Sequence, residues 1–281
     1  MLNLMKMEFT RIFKSKYVLV IFLATILTFF VTVGLVDYTS KNIDNLEQNI
    51  SQTSDDNTNG VKVDINKSKA EELTDSGEDF VISSFSQSTY LIFLIIFGAL
   101  FFSNPYAHGF VKNFLGMEKN KGTYMLATFI VASLFVFVSF ALGAMILTIS
   151  APLINDGMLK ITDYARLVKV LAVELVSHIS YLAVILLAAT FTRSTSKTLM
   201  FTFLYPTIFF NFLRGIGDQF LSLFADLPDD FSVSNFVNIG NIISTNFAST
   251  NADLIRSLVV AIIIGAIALT LSYVIINKKD I

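Results

Sequence analysis

Six apolar stretches of the sequence are separated by polar segments. They cover residues 17–36, 80–102, 124–150, 167–191, 199–213 and 257–276. All but one reach the roughly 20 residues that an α-helix needs to cross a bilayer. The pattern predicts an all-α, polytopic membrane protein with six transmembrane helices.

The fifth stretch is the shortest, and Pro206 lies at its middle. About 15 helical residues rise only about 23 Å, which is less than a hydrocarbon core of about 30 Å. We therefore expect this span to borrow residues 194–198, which precede it.

An amphipathic segment, residues 1–16, precedes the first stretch. Its apolar side chains share one helical face, and Thr10, Arg11 and Lys14 lie opposite. The apolar set is Leu2, Met5, Phe9, Ile12 and Phe13. This pattern predicts a helix that rests in the membrane interface. The alternative is a basic flank that only orients the first span.

The distribution of lysine and arginine predicts the orientation. Cations precede the first span, follow the last and occupy the short loop between the fourth and fifth: Lys6, Arg11, Lys14, Lys16, Arg193, Lys197, Lys278 and Lys279. Cytoplasmic loops are enriched in such residues, so both termini are expected in the cytoplasm. Abundant Phe, Ile, Lys and Asn without Cys or Trp resemble a bacterial composition, and the bacterial cell membrane is the expected location.

Two long polar segments then lie outside. Residues 37–86 form a loop rich in Asp and Glu, in which residues 38–50 can continue a helix and Val61, Val63 and Ile65 alternate as in a strand. Residues 215–256 are too polar to span and too apolar for an ordinary loop. They predict an external re-entrant segment, a helical hairpin before the last span that other protein covers.

Composition limits the chemistry of the chain. The 281 residues are 54% hydrophobic and 15% charged, so we expect one transmembrane domain over residues 1–281 and no separate soluble domain. Without cysteine and with two histidines, a metal centre is not expected. The sequence has no Gly-Lys pair, no G-x-S-x-G and no H-E-x-x-H. We expect no catalytic residue, no cofactor bound by this chain and no nucleic-acid partner.

The loop between the second and third spans, residues 105–123, carries a short motif. Gly109, Lys112 and Asn113 are its matching positions. They belong to the run His108, Gly109, Phe110, Val111, Lys112, Asn113, Phe114 and Leu115. This run resembles the first cytoplasmic loop of type-2 ABC transporter permeases, especially bacitracin and lantibiotic export or immunity subunits. His108 stands where an acidic residue is commoner in that family.

The resemblance implies that this loop couples the chain to a separate ABC ATPase subunit, which would hold ATP and Mg. It also implies a second permease copy or a sister permease beside this chain among the membrane lipids. Independently of the resemblance, the side-chain pattern indicates an amphipathic helix, since Phe110 and Phe114 share one arc and Lys112 lies opposite. Such a helix either presents aromatic side chains to a cytoplasmic partner or is an ordinary amphipathic connector.

Four polar residues of the fourth stretch share one helical face. Glu174, Ser177, His178 and Tyr181 follow the spacing i, i+3, i+4 and i+7. Glu174 and His178 lie well inside the hydrocarbon, so they should face protein or water, and they can pair. One interpretation is a translocation path or a proton-sensitive site. The other is a structural pair that holds helices together.

The expected function is that of the membrane-spanning permease subunit of an ABC exporter. The resemblance implies outward movement of a cationic amphiphilic or antimicrobial-type peptide, which acidic external loops would attract. An alternative from another class is a non-energised membrane channel or sensor subunit whose acidic external loop binds a ligand.

Overall fold

The computed structural model describes residues 1–53, 76–86, 89–107, 121–157, 159–223 and 232–278. Within these ranges the regular structure is helical and no strand occurs. Six segments are long and apolar enough to cross a membrane: Lys16–Lys41, Gly77–Tyr106, Lys121–Ile154, Tyr164–Thr192, Thr195–Phe220 and Asn251–Lys278. The chain is an all-α, polytopic membrane protein, and this prediction is confirmed.

Ten α-helices make up the described part of the chain. They are α1 (Leu2–Lys14), α2 (Lys16–Thr53), α3 (Gly77–Ser86), α4 (Thr89–Ala107), α5 (Lys121–Ser150), α6 (Tyr164–Thr192), α7 (Thr195–Leu204), α8 (Phe210–Ser222), α9 (Asn238–Ser244) and α10 (Asn251–Lys278). Short 3-10 segments cover Ala151–Gly157 and Val233–Phe236, and a π-helical segment covers Tyr205–Phe209.

Helix α6 lies at the centre of the bundle. Helices α4, α7, α9 and α10 pack against it. One half of α6 contributes Leu182, Ile185 and Ala189 to a large apolar cluster, and the other half contributes Leu167 and Val170 to a second cluster. A side chain on the inner face of α6 is therefore enclosed by protein over most of the helix length.

Both described ends of the chain lie at the same end of the bundle. A Cβ atom on Gly122, at the start of α5, would collide with the ring of Tyr273, near the end of α10. The Arg11 side chain of α1 reaches the Phe101 carbonyl of α4 and the Tyr124 hydroxyl of α5. The predicted topology requires this common end, and its assignment to the cytoplasm stays a prediction.

The opposite end is joined by a polar network. The Glu78 carboxylate, at the start of α3, accepts hydrogen bonds from the Thr162 N–H, the Thr162 hydroxyl and the Asp163 N–H. Asp79 accepts from the Phe247 N–H over 3.1 Å, and the Arg166 guanidinium donates to the Phe247 carbonyl over 2.9 Å. Three connections that are far apart in sequence are thus fixed to one another.

Helix α1 forms as predicted, but a different face is buried. The buried residues are Leu4, Glu8 and Ile12, whereas Leu2 and Phe13 are about four-fifths exposed. The apolar arc of α1 is divided between two apolar surroundings: one part packs on the bundle, and the other part faces outward. A hydrophobic pattern alone does not distinguish these two surroundings.

The fifth span begins at Thr195. It therefore includes residues 195–198 of the segment 194–198 that was expected to extend it. The helix passes through the π-helical segment at Pro206 and continues into α8. Proline lacks an N–H and clashes with the preceding turn, and a π-helical turn accommodates such a residue.

Helix α9 enters the bundle after this span. Asn238 and Ile239 are fully buried, and the Tyr205 hydroxyl donates to Asn238 Oδ1 over 3.3 Å. Tyr205 is ten residues from the start of the fifth span, which is about 15 Å along a helix and near the middle of a bilayer core. Residues 215–220 belong to the fifth apolar helix, which runs to Phe220, and the re-entrant character expected of the rest of residues 215–256 stays a prediction.

The polar segment at residues 37–86 is partly helical. Helix α2 extends to Thr53, consistent with the expected helical continuation over residues 38–50, and α3 covers its last ten residues. Residues Val61, Val63 and Ile65, where the sequence alternates as in a strand, lie outside the described residues.

Candidate functional site: a buried polar stripe on the fourth span

The predicted stripe lies on the inner face of α6. Asp163 caps the start of this helix, and its side chain accepts from the Arg166 N–H; Arg193 follows its end in a left-handed conformation with φ of 52°. The four predicted side chains, Glu174, Ser177, His178 and Tyr181, are between 0 and 2% exposed. The structure therefore brings them together on one face, as the spacing predicts, and surrounds them with protein.

Glu174 and His178 form a close but incomplete pair. His178 Nδ1 lies 2.8 Å from the Glu174 backbone carbonyl oxygen and 3.6 Å from Glu174 Oε2. A carbonyl oxygen only accepts, so Nδ1 carries the hydrogen and donates it to the backbone. Neither Glu174 carboxylate oxygen has a hydrogen-bond partner among the described residues, and neither does His178 Nε2.

Aromatic rings enclose His178. The Tyr90 ring meets the imidazole edge-on with centroids 5.2 Å apart, and the Phe140 ring lies 5.7 Å away. The Tyr90 hydroxyl bonds with Ser139 Oγ over 2.9 Å and donates to the Val136 carbonyl over 3.1 Å. Because the Tyr90 hydroxyl is hydrogen-bonded to α5, only the Tyr90 ring contacts His178.

The other two members of the stripe have complete local bonding. The Ser177 hydroxyl donates to the Val173 carbonyl of its own helix over 3.0 Å. The Tyr181 hydroxyl donates to the Thr202 carbonyl of α7 over 2.6 Å, and its ring stacks on Tyr205 with centroids 5.9 Å apart. The hydroxyls of Ser177 and Tyr181 therefore already have a hydrogen-bond partner in this arrangement.

The bond from Tyr181 has a specific cause. In an α-helix the carbonyl of Thr202 would accept from the N–H of residue 206, four positions later. Residue 206 is proline, which has no N–H. The Tyr181 hydroxyl supplies a donor to that carbonyl, and so α6 stabilises the fifth span at its irregular turn.

Two buried asparagines, which were not predicted as site residues, add to the polar interior. Asn238 and Asn241 of α9 are fully buried. The Asn238 Nδ2 atom and both polar side-chain atoms of Asn241 lack a hydrogen-bond partner in the part of the chain that the structure describes. Their i, i+3 spacing within an otherwise apolar segment was the available signal.

The arrangement has one chemical capacity that an ordinary core lacks. Burying an ionisable group without hydrogen bonds is costly, and intramembrane acids are commonly functional. Glu174 and His178 together can hold or release a proton inside the bundle. With exposures near zero they do not line an open passage in this conformation.

The residues of the predicted coupling motif, His108, Gly109, Phe110, Val111, Lys112, Asn113, Phe114 and Leu115, lie outside the described residues. The helices that flank them are described, and Arg11 connects those helices to α1. Its guanidinium lies 2.8 Å from Glu8 Oε2, 3.3 Å from the Tyr124 hydroxyl and 3.1 Å from the Phe101 carbonyl, and 4.1 Å above the Phe101 ring centroid. Burial raises the pKa of the Glu8 carboxyl, although the charge of Arg11 opposes this.

Comparison with protein-family models and with curated proteins finds no match to this chain. The likeness to type-2 ABC permeases therefore depends on the loop motif and the helical architecture alone.

Proposed function

We propose that this chain is the membrane-spanning permease subunit of an ABC exporter. A separate ATPase subunit, which binds ATP and Mg, powers it, and a second permease copy or a sister permease completes the membrane part. The all-α architecture with six spans supports this proposal, as does the common end shared by α1, the end of α10 and the helices flanking residues 108–120.

One observation carries the proposal. Arg11 of the interfacial helix holds both helices that flank the predicted coupling segment, through the Phe101 carbonyl of α4 and the Tyr124 hydroxyl of α5. A force applied to residues 108–120 by a docked ATPase would reach α1, α4 and α5 together. The two spans and the interfacial helix would then move as one unit.

The proposed substrate is a cationic amphiphilic or antimicrobial-type peptide that is moved outward. The loop resemblance motivates this choice, and the acid-rich segment at residues 37–86 supports it because acidic surfaces attract cations at low salt. Exposed charges are screened beyond about 8 Å at physiological ionic strength, so the loop favours encounter more than it sets affinity.

The test is to uncouple the ATPase. The double variant Phe110→Ala with Phe114→Ala should insert normally but lose peptide export, because two truncated aromatic anchors cost on the order of 2 to 4 kcal/mol of docking energy. Phe191→Ala is the matched control, since Phe191 is an exposed phenylalanine near the end of α6, at the same end of the bundle. Export and ATP hydrolysis are measured in proteoliposomes that contain the partner ATPase. Normal export by the double variant would refute the coupling role and favour the channel or sensor alternative.

A further inference from the structure

A concave apolar groove opens beside the amino-terminal helix. Its volume is about 300 Å³, and α1, α2 and α5 form its three walls. The lining residues are Phe9, Ile12, Phe13, Val18, Leu19, Phe22, Val131, Leu134, Phe135 and Val138. We refer to this set as the amino-terminal groove. On α2 it extends over the first six residues after Lys16, which is about 9 Å of depth.

The groove exists because two adjoining faces of α1 have different surroundings. Leu4, Glu8 and Ile12 pack on the bundle, and Phe9 and Phe13 turn toward the groove on the adjoining face. Phe13 is 80% exposed. An aromatic ring so placed at a membrane surface is expected to contact lipid chains.

Two lysines, Lys14 and Lys16, adjoin the lining of the groove in sequence, and we call them the lysine rim. Lys14 and Lys16 flank Ser15, where the backbone turns from α1 into α2, and both lysines are exposed. Neither pairs with an acid in the ranges that the structure describes. An open cleft of about 560 Å³ runs along the other side of α1, and Lys14 belongs to its lining. Glu8, its acidic residue, is paired with Arg11.

We propose that the amino-terminal groove binds an anionic phospholipid, with an acyl chain between Phe13, Leu19 and Leu134 and the phosphate at Lys14 and Lys16. The apolar walls match the chain and the two lysines match the anionic headgroup. A cationic amphiphilic peptide would fit the walls, but the lysine rim would repel it. The proposal concerns lipid and does not depend on the transport function.

The absence of tryptophan from the chain makes a direct test possible. Leu19→Trp places a single fluorophore in the groove, at a residue that is 54% exposed. Val274→Trp is the matched control, because Val274 is 38% exposed on α10 and lies close to the same end of the bundle. Each full-length variant is placed in zwitterionic bilayers that contain a minor fraction of brominated phosphatidylglycerol or brominated phosphatidylcholine.

At equal mole fraction, the anionic brominated lipid should quench the fluorescence of Leu19→Trp more strongly than the zwitterionic one. At low salt each lysine should favour the anionic lipid about fivefold. The preference should fall toward one when Lys14→Gln and Lys16→Gln are added to this reporter, and it should weaken as salt is added. Both lipids should quench the control, Val274→Trp, equally. Phe13→Trp is a second reporter in case Leu19→Trp does not fold.

Three results would overturn the proposal. Equal quenching of the groove reporter by both lipids would exclude selection of the anionic headgroup. A preference that survives removal of both lysines, or that the Val274→Trp control shares, would exclude the lysine rim as its cause. Stronger quenching by a cationic amphipathic peptide that carries bromophenylalanine would reassign the groove to a peptide.

Discussion

Glu8 is a buried acid on α1, the helix that the sequence predicts to rest in the membrane interface. Burial raises the pKa of its carboxyl, and the nearby charge of Arg11 lowers it by a smaller amount. A carboxyl with a raised pKa binds its proton more tightly in the folded state than in the unfolded chain. Its contribution to stability is therefore fully present below about pH 4.5 and is lost as the pH rises through the raised value.

Removing Arg11 should expose this dependence on pH. Arg11→Gln leaves the Glu8 carboxylate without its ionic partner, which should cost about 1 to 3 kcal/mol of unfolding free energy at neutral pH. The cost should shrink as the pH falls, because Glu8 then takes up a proton. Thermal melting of the purified protein in detergent between pH 5 and pH 8 measures the difference.

Two controls accompany this prediction. The double variant Glu8→Gln with Arg11→Gln should melt with a much flatter pH profile, and Lys6→Gln, at an exposed position on the same helix, should leave the profile unchanged. A difference between Arg11→Gln and the native chain that does not vary with pH would show that Glu8 is not the titrating group.

Glu174 is a buried acid whose burial has little local compensation among the described residues. Both of its carboxylate oxygens lack hydrogen bonds among the described residues, and it is 1% exposed. Replacing a buried ionisable group by an apolar side chain of similar size is often neutral or stabilising by about 1 to 4 kcal/mol. We predict that Glu174→Met maintains or raises the melting temperature while it impairs export or changes the dependence of export on pH.

Ser177→Ala is the control for this prediction, since the Ser177 hydroxyl only bonds to its own helix. It should change neither export nor melting appreciably. If Glu174→Met lowers stability and export in parallel, the pair with His178 is structural, which is the other interpretation that the sequence allows.

The fifth span depends on an interaction between helices at its irregular turn. We predict that Tyr181→Phe costs about 1 to 3 kcal/mol, because it leaves the Thr202 carbonyl buried without a donor. Pro206→Ala restores an N–H at the position that normally bonds to this carbonyl, so it should relieve most of that cost. A double-mutant cycle on melting free energies measures the coupling.

Tyr164→Phe serves as the control, because Tyr164 lies at the exposed start of the same helix. Additive effects of Tyr181→Phe and Pro206→Ala would contradict the explanation. In that case the Tyr181 hydroxyl would not be substituting for the missing N–H of Pro206.

The sequence predicts the spans well, for a physical reason. A run of about 20 apolar residues is almost always a transmembrane helix, because lipid leaves the backbone no other partners. The inward direction of Glu174 and His178 follows from the same cost. The spacing i, i+3 and i+4 then places both on one helical face, which is the arrangement that the structure shows.

Other elements were not predictable from periodicity. The apolar arc of α1 is shared between lipid and protein, so its pattern does not reveal that Glu8 faces inward. Helix α3 begins with Gly77, Glu78 and Asp79, which belong by composition to the acid-rich loop. The burial of Glu78 depends on donors from Thr162 and Asp163, which lie more than eighty residues away. Long-range polar partners of this kind leave no local signal.

The whole molecule has two polar ends with different organisation. The Arg11 cluster and the ends of α4 and α10 lie at one end, and the network of Glu78, Asp79 and Arg166 lies at the other. Residues 108–120 join helices at the first end. The proposed function requires that end to face the cytoplasm, where ATP is available to a partner subunit.

Single-cysteine labelling tests this orientation, and the chain has no native cysteine to give a background. Ala248→Cys lies at an exposed position in the connection before α10, and Ser196→Cys lies at an exposed position in the first turn of α7, at the opposite end. Because lysine and arginine precede the first span, follow the last and occupy the loop at Ser196, an impermeant maleimide should label only the cysteine at position 248 in intact cells. Permeabilised cells should show labelling at both positions, which controls for accessibility. Labelling at position 196 in intact cells would invert the topology, and the loop at residues 108–120 would then lie outside, where no ATPase could drive it.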